Sequence, residues 1–186
     1  MALAAAACSG RRHERETSEQ FDPLTYDYLT PIRLNVATVE VVPPPVPAAT
    51  GDDVTTIDPV RPADAMAQMA HDRLQALGSS GRAVLAIEDA TIVRRRDAYE
   101  GSFAIELDIY TSANARVAFA EARVSGRRGI EDGESTRHAL YALTKDLMDQ
   151  LNVEFEFQVR RSLRDWLVET PAAVQAPVQE QQLPPP

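Results

Sequence analysis

Residues 103–110 constrain the architecture more than any other stretch of this chain. Phe103, Ile105, Leu107 and Ile109 alternate with Ala104, Glu106, Asp108 and Tyr110. Successive strand side chains point to opposite faces, so this period of two is a β-strand with one apolar face and one face toward water. Glu106 and Asp108 on the outer face read as solvated carboxylates, not as an acid/base pair. Ser112, Ala113 and Asn114 form a tight connection. Residues 116–124 then read as the paired strand, with Ala118, Ala120, Ala122 and Val124 on one face. A row of alanines lets a helix approach the sheet closely.

Upstream, Pro31 opens a strand in which Ile32, Leu34 and Val36 alternate with Arg33 and Asn35. The phase slips at Ala37, so Val39 and Val41 fall on the other face, as at a bulge or in a fully buried strand. Prolines 43, 44, 45 and 47 end it, because they cannot donate ladder hydrogen bonds. After a loop over residues 48–61, Pro62 and Asp64 mark a helix start. Met66, Met69, Ala70, Leu74 and Leu77 form its apolar stripe, and Gly78 is expected to end it. The two methionines read as core filler. Residues 83–95 are a further strand with a break near Asp89. Residues 126–133, with three glycines, read as a hairpin-to-helix loop.

The last element is a long helix over about residues 134–167. Leu140, Leu143, Leu147, Leu151, Phe155, Val159, Leu163 and Trp166 recur every three or four residues. Val153, Phe155, Phe157 and Val159 also alternate, so a strand over 152–159 competes. The unbroken helical phase favours helix. The resulting fold is α+β: a two-layer sandwich with a four-stranded, mostly antiparallel sheet and two helices on one face, in the order β-α-β-β-β-α. Its single domain spans residues 31–168. Residues 9–30 are a polar tether in which residues 21–28 are able to pack back on the domain. Residues 169–186 have the Pro/Gln composition of a disordered tail. The distal half of the long helix, from Phe155, needs cover from the tether aromatics or from another subunit.

The 186 residues carry a formal charge of −9, which argues against nucleic-acid binding. His13, His71 and His138 are scattered, with no second ligand at helical spacing, so no metal site or cofactor is expected. There is no glycine-rich phosphate loop, no Gly-x-Ser-x-Gly elbow and no nucleophile–base pair, so a non-enzymatic role is expected. Three basic clusters remain: Arg94, Arg95 and Arg96; Arg127 and Arg128; and Arg160, Arg161 and Arg164. They read either as solvated ends of elements or as docking points for lipid headgroups or an acidic partner. The first two clusters are placed where they could share one edge of the sheet.

The only cysteine, Cys8, follows Ala5, Ala6 and Ala7 directly and precedes a polar run. This stretch resembles the lipobox of bacterial lipoproteins, where the cysteine sulfur receives diacylglycerol and the anchor carries chains such as palmitate. Position −3 is Ala5 where the lipobox has leucine. The charged region and most of the apolar core are missing upstream, as expected if Met1 is a start placed inside a longer signal. Ser9 at position +2 favours outer-membrane sorting by analogy. The layout over residues 32–151 resembles small envelope lipoproteins of Gram-negative bacteria. Two families share it, the auxiliary lipoproteins of ABC-type transporters and the lipopolysaccharide-assembly lipoprotein. Residues 64–81 and 137–167 are also similar to uncharacterised alphaproteobacterial lipoproteins. The resemblance implies lipidation at Cys8, the periplasmic face of the outer membrane, an envelope protein partner and an accessory role in transport or assembly. Alternatives are a lipid or glycolipid carrier, a hydrolase, and a cytoplasmic protein whose cysteine is incidental.

Overall fold

The structure, a computed structural model, describes residues 19–45 and 51–168. Cys8, the expected signal, residues 9–18 of the tether and the tail lie outside the described residues. The central sheet has four strands in the order β2 (Thr38–Val42), β4 (Arg82–Arg94), β5 (Ala98–Tyr110), β6 (Arg116–Gly129). β2 pairs parallel with β4 through the crossover helix α1 (Pro62–Arg73), and β4, β5 and β6 form an antiparallel meander. α1 and the long α2 (Thr136–Ser162) pack on one face, which gives the expected α+β two-layer sandwich. The register of β4 against β5 shifts between Ile87 and Asp89, the position of the expected break. Asn114 takes a left-handed conformation (φ 63°) in the β5–β6 turn.

The inner face confirms the alternation: Phe103, Ile105, Leu107 and Ile109 are buried with Leu85, Ile87 and Ile92 from β4. α2 lies against the alanine row of β6, where Ala120 and Ala122 are buried. The approach is closest over Gly101 and Gly126, which face one another across β5 and β6. A Cβ on Gly101 would run into Leu147 Cδ1, and one on Gly126 would lie 2.9 Å from Leu147 Cδ2. Gly126 thus belongs to a strand that continues to Gly129, not to a hairpin-to-helix loop. The composition there, Ser and Arg between glycines, hid the strand because the inward positions after Val124 are Gly126 and Arg128, which break the apolar alternation.

The outer face differs from the expectation for Glu106 and Asp108. Their carboxylates are half-buried and both bind Arg116, at 2.8 and 2.5 Å. The Arg116 guanidinium also stacks on Phe119 at 4.5 Å. A strand-end arginine reaching back across the ladder removes these carboxylates from bulk water.

Two expected elements are divided. Residues 32–42 are not one strand: β1 (Ile32–Leu34) leaves the main sheet and pairs parallel with β3 (Leu74–Ala76). The phase slip at Ala37 is the bend between the two. α1 correspondingly ends at Arg73, not at Gly78, because pairing with β1 draws residues 74–76 into extended backbone. Leu74 is buried in this arrangement whereas Leu77 is exposed. Gly78 serves a close backbone approach instead: a Cβ there would lie 2.5–2.7 Å from Asn35 and Val36 atoms.

The final helix also stops early. α2 is capped by Ser135, whose Oγ accepts from the His138 N–H at 3.1 Å, and it ends at Ser162. Residues 152–159 are helical, and a single 3-10 turn (Arg164–Trp166) follows. Asn35 N–H donates to the Trp166 carbonyl (2.8 Å) and Val168 N–H to the Arg33 carbonyl (2.9 Å), so residues 166–168 flank β1 opposite β3. This small layer joins the core that buries Phe155, Val159 and Leu163 completely. The stripe through Phe155, Val159 and Leu163 is therefore covered by β1 and its neighbours within the chain, while Phe157 stays exposed. The tether packs back as allowed: Tyr26 is buried and Phe21 sits 5.2 Å from Tyr141, while Tyr28 is exposed.

One carboxyl is buried in the crossover loop. Asp58 accepts from Thr144 Oγ1 (2.5 Å) and from the Val60 N–H (3.1 Å). Burial pushes its carboxyl up, against the lowering effect of those two hydrogen bonds. A raised acid holds its proton more tightly folded than unfolded, so this group's contribution to stability is lost as pH rises above about 3.8. Asp58→Asn is expected to raise the urea midpoint at neutral pH and to leave it unchanged in acid, where both states are protonated. The glycine slot gives a second expectation. Gly101→Ala should destabilise by about 1–3 kcal/mol through overpacking. In urea denaturation that cost should shrink when Leu147→Ala is already present, because the two residues contest one space.

Candidate interaction sites

The topology separates the arginine clusters by pole. Arg94, Arg95 and Arg96 form the tip of the β4–β5 turn, closed by Arg95 N–H donating to the Ala98 carbonyl at 2.7 Å. Arg127 and Arg128 lie in β6 opposite Glu100 and Tyr99. The first two clusters therefore share one end of the sheet. Arg160, Arg161 and Arg164 lie at the far end of α2, which runs antiparallel to β6. The structure does not bring them near the others.

Neutralisation differs within each cluster. Arg95 pairs with Glu100 (3.0 Å), Arg127 with Asp97 (2.7 Å), Arg128 with Glu134 (2.8 Å) and Arg160 with Glu156 (2.9 Å). The hydrogen bond from Arg128, joined by one with His138, holds the Glu134 carboxyl below its usual range. Arg94, Arg96, Arg161 and Arg164 are exposed, and their side chains have no ion-pair or hydrogen-bond partner among the described residues. His138 lies 2.9 Å from Glu134. Among the described residues no group of His, Cys, Asp and Glu side chains is arranged to hold a metal ion.

Sequence reasoning missed Arg73, the largest fully buried side chain among the described residues, at 1% exposure. It closes α1 and reaches into three remote positions. Its guanidinium donates to Glu156 Oε2 (2.6 Å), Asn152 Oδ1 (3.2 Å) and the Thr30 carbonyl (3.1 Å). Burial raises the Glu156 carboxyl, but hydrogen bonds from Arg73 and Arg160 overcome that and hold it below its usual range. Thr30, Ile32, Arg33, Glu156, Val159 and Leu167 help line a cleft of about 310 Å³ beside this network. Its chemistry is mixed: cationic groups around one carboxylate, against an apolar wall. Asn152, a polar residue in phase with Met148, Phe155 and Val159, was the available sign that a polar group comes to meet it.

No family model and no curated protein matches the chain. Among solved structures, the Xanthomonas campestris protein XCC0632, of the DUF330 family, is similar at 10% identity, with 77% of this chain and 95% of that chain covered and a TM-score of 0.43. A minor lipoprotein from Acinetobacter baumannii is similar at 10% identity, with coverage of 68% and 95% and a TM-score of 0.33. Lipoprotein GNA1162 from Neisseria meningitidis is similar at 11% identity, with coverage of 63% and 99% and a TM-score of 0.30. Scores this low assign neither family nor function.

The buried and exposed arginines should respond differently to truncation. Arg73→Ala should cost about 3–5 kcal/mol, because it strands the carbonyl, amide and carboxylate that the guanidinium serves. Arg160→Ala, removing an exposed pair, should cost less than about 1 kcal/mol. Urea denaturation of both variants beside the parent chain checks the contrast.

Proposed function

We propose that this chain is a lipid-anchored envelope lipoprotein with a non-enzymatic interaction role. The observation that carries the reading is Cys8, the sole cysteine, placed directly behind Ala5, Ala6 and Ala7 and ahead of a polar run. Small side chains before a cysteine suit a signal peptidase, and acyl chains at about 0.8 kcal/mol per buried methylene hold a protein to a leaflet without a spanning helix. No helix among the described residues is long and apolar enough to cross a membrane. The finer proposal is anchorage at the periplasmic face of the outer membrane, with an accessory role in an envelope transport or assembly complex. It rests on Ser9 at position +2 and on the order of elements.

The packing between sheet and helices favours an interaction role over a carrier role. Leu143, Leu147, Phe103 and Ile105 are buried there, and Leu147 already fills the slot over Gly101 and Gly126. A lipid held between the layers would have to displace these side chains.

Mass spectrometry of the native N-terminal peptide is expected to find Cys8 at the mature terminus, carrying diacylglycerol. Cys8→Ser should move the protein from the membrane fraction to the soluble fraction. An unmodified Cys8 within an unprocessed chain would overturn the reading.

A further inference from the structure

The described chain begins at one pole of the domain. Glu19 accepts from Ser135 Oγ (2.9 Å), Tyr141 donates its hydroxyl proton to the Asp22 carbonyl (3.2 Å), and the Arg137 guanidinium lies 5.3 Å from the Phe21 ring centre. These contacts hold residues 19–22 against the first turns of α2. The β4–β5 turn is fastened to the same place. Tyr99 donates its hydroxyl proton to Thr136 Oγ1 (3.2 Å), Ile130 N–H donates to the Asp97 carbonyl (3.0 Å), and Arg127 pairs with Asp97. Glu19, where the described chain begins, thus lies at the same end of the domain as Arg94 and Arg96.

Distance makes this placement consequential. Cys8 and Glu19 are separated by residues 9–18, so their separation is at most about 40 Å when that segment is fully extended. The 27 residues of α2 carry its opposite end about 40 Å further away. An anchor at Cys8 therefore limits the near pole to within about 40 Å of the leaflet, whereas Arg161 and Arg164 are tied to it only through the further length of α2.

We infer that the pole formed by the β4–β5 turn faces the membrane, with Arg94 and Arg96 meeting anionic phospholipid headgroups; this rests on the proposed anchor at Cys8. Arg95, Arg127 and Arg128 are already engaged by carboxylates, whereas Arg94 and Arg96 have no side-chain partner among the described residues. A guanidinium offers paired N–H donors that match a phosphate. Glu131 and Asp132 on the neighbouring loop oppose the attraction, so the contact is weak on its own. Attachment through a short connection raises the local concentration to the order of millimolar, at which a weak contact is populated. The anchor supplies affinity, and the two arginines supply orientation.

The sole thiol provides the test. The chain, beginning at Met1, is coupled through Cys8 to maleimide lipid on vesicles of phosphatidylcholine, with or without phosphatidylglycerol. Arginines are then modified with phenylglyoxal and mapped by mass spectrometry. Arg94 and Arg96 should be shielded on the phosphatidylglycerol vesicles and lose that shielding at high ionic strength. Arg161 and Arg164 should react fully on both. Equal reactivity at the two poles, or shielding of Arg161 and Arg164, overturns the orientation. Shielding of Arg94 and Arg96 on phosphatidylcholine alone overturns the anionic contact. Because the coupling is chemical, these outcomes are independent of whether the native cysteine is acylated, which the mass of the N-terminal peptide decides separately.

Discussion

The arrangement of the helices depends on one buried guanidinium. Arg73 joins the end of α1, the middle of α2 and the segment leading into β1, which are far apart in sequence. A buried ion pair is seldom a large source of net stability, because desolvation offsets the attraction. Its effect here is geometric. Five N–H groups in a fixed plane require acceptors at defined positions, and Glu156, Asn152 and Thr30 occupy three of them. A sliding of α1 along α2 that hydrophobic contacts alone would tolerate breaks this pattern. The same residue ends α1, so the position that locks the helices also starts the extended backbone of β3.

The parts of the fold that were legible in the sequence are those in which the signal is local. The alternation through Phe103 and Ile109, Pro62 at a helix start and the unbroken phase across residues 152–159 each state a backbone conformation within a few residues. The illegible parts depend on remote partners. The stripe from Met66 to Leu77 is a sound helical pattern, and only pairing with β1 extends its last residues. Gly101 and Gly126 carry no periodicity at all, and their meaning lies in Leu147 on another element. The arginine clusters were visible as clusters. Their division between two poles was not, because it follows from α2 running back along β6.

The surface shows the same separation of local from global information. Arg95, Arg127, Arg128 and Arg160 each have an acidic neighbour within a few ångströms, and this leaves a small set of unmatched cations on a strongly acidic molecule. Composition describes the average, and topology decides where the exceptions stand. Glu106 and Asp108 make the reverse case. Two carboxylates on an outward face look hydrated until Arg116 is brought beside them by the β5–β6 register.

The pairing of β1 with residues 166–168 sets an order of events during biosynthesis. Leu34 and Leu167 meet as neighbours although nearly the whole domain separates them along the chain. Contacts of such long sequence separation pay their loop-closure entropy late. Residues 166–168 must therefore have emerged before the layer over Phe155, Val159 and Leu163 can shut. Until then those side chains lack the cover that β1 and residues 166–168 give them in the finished fold.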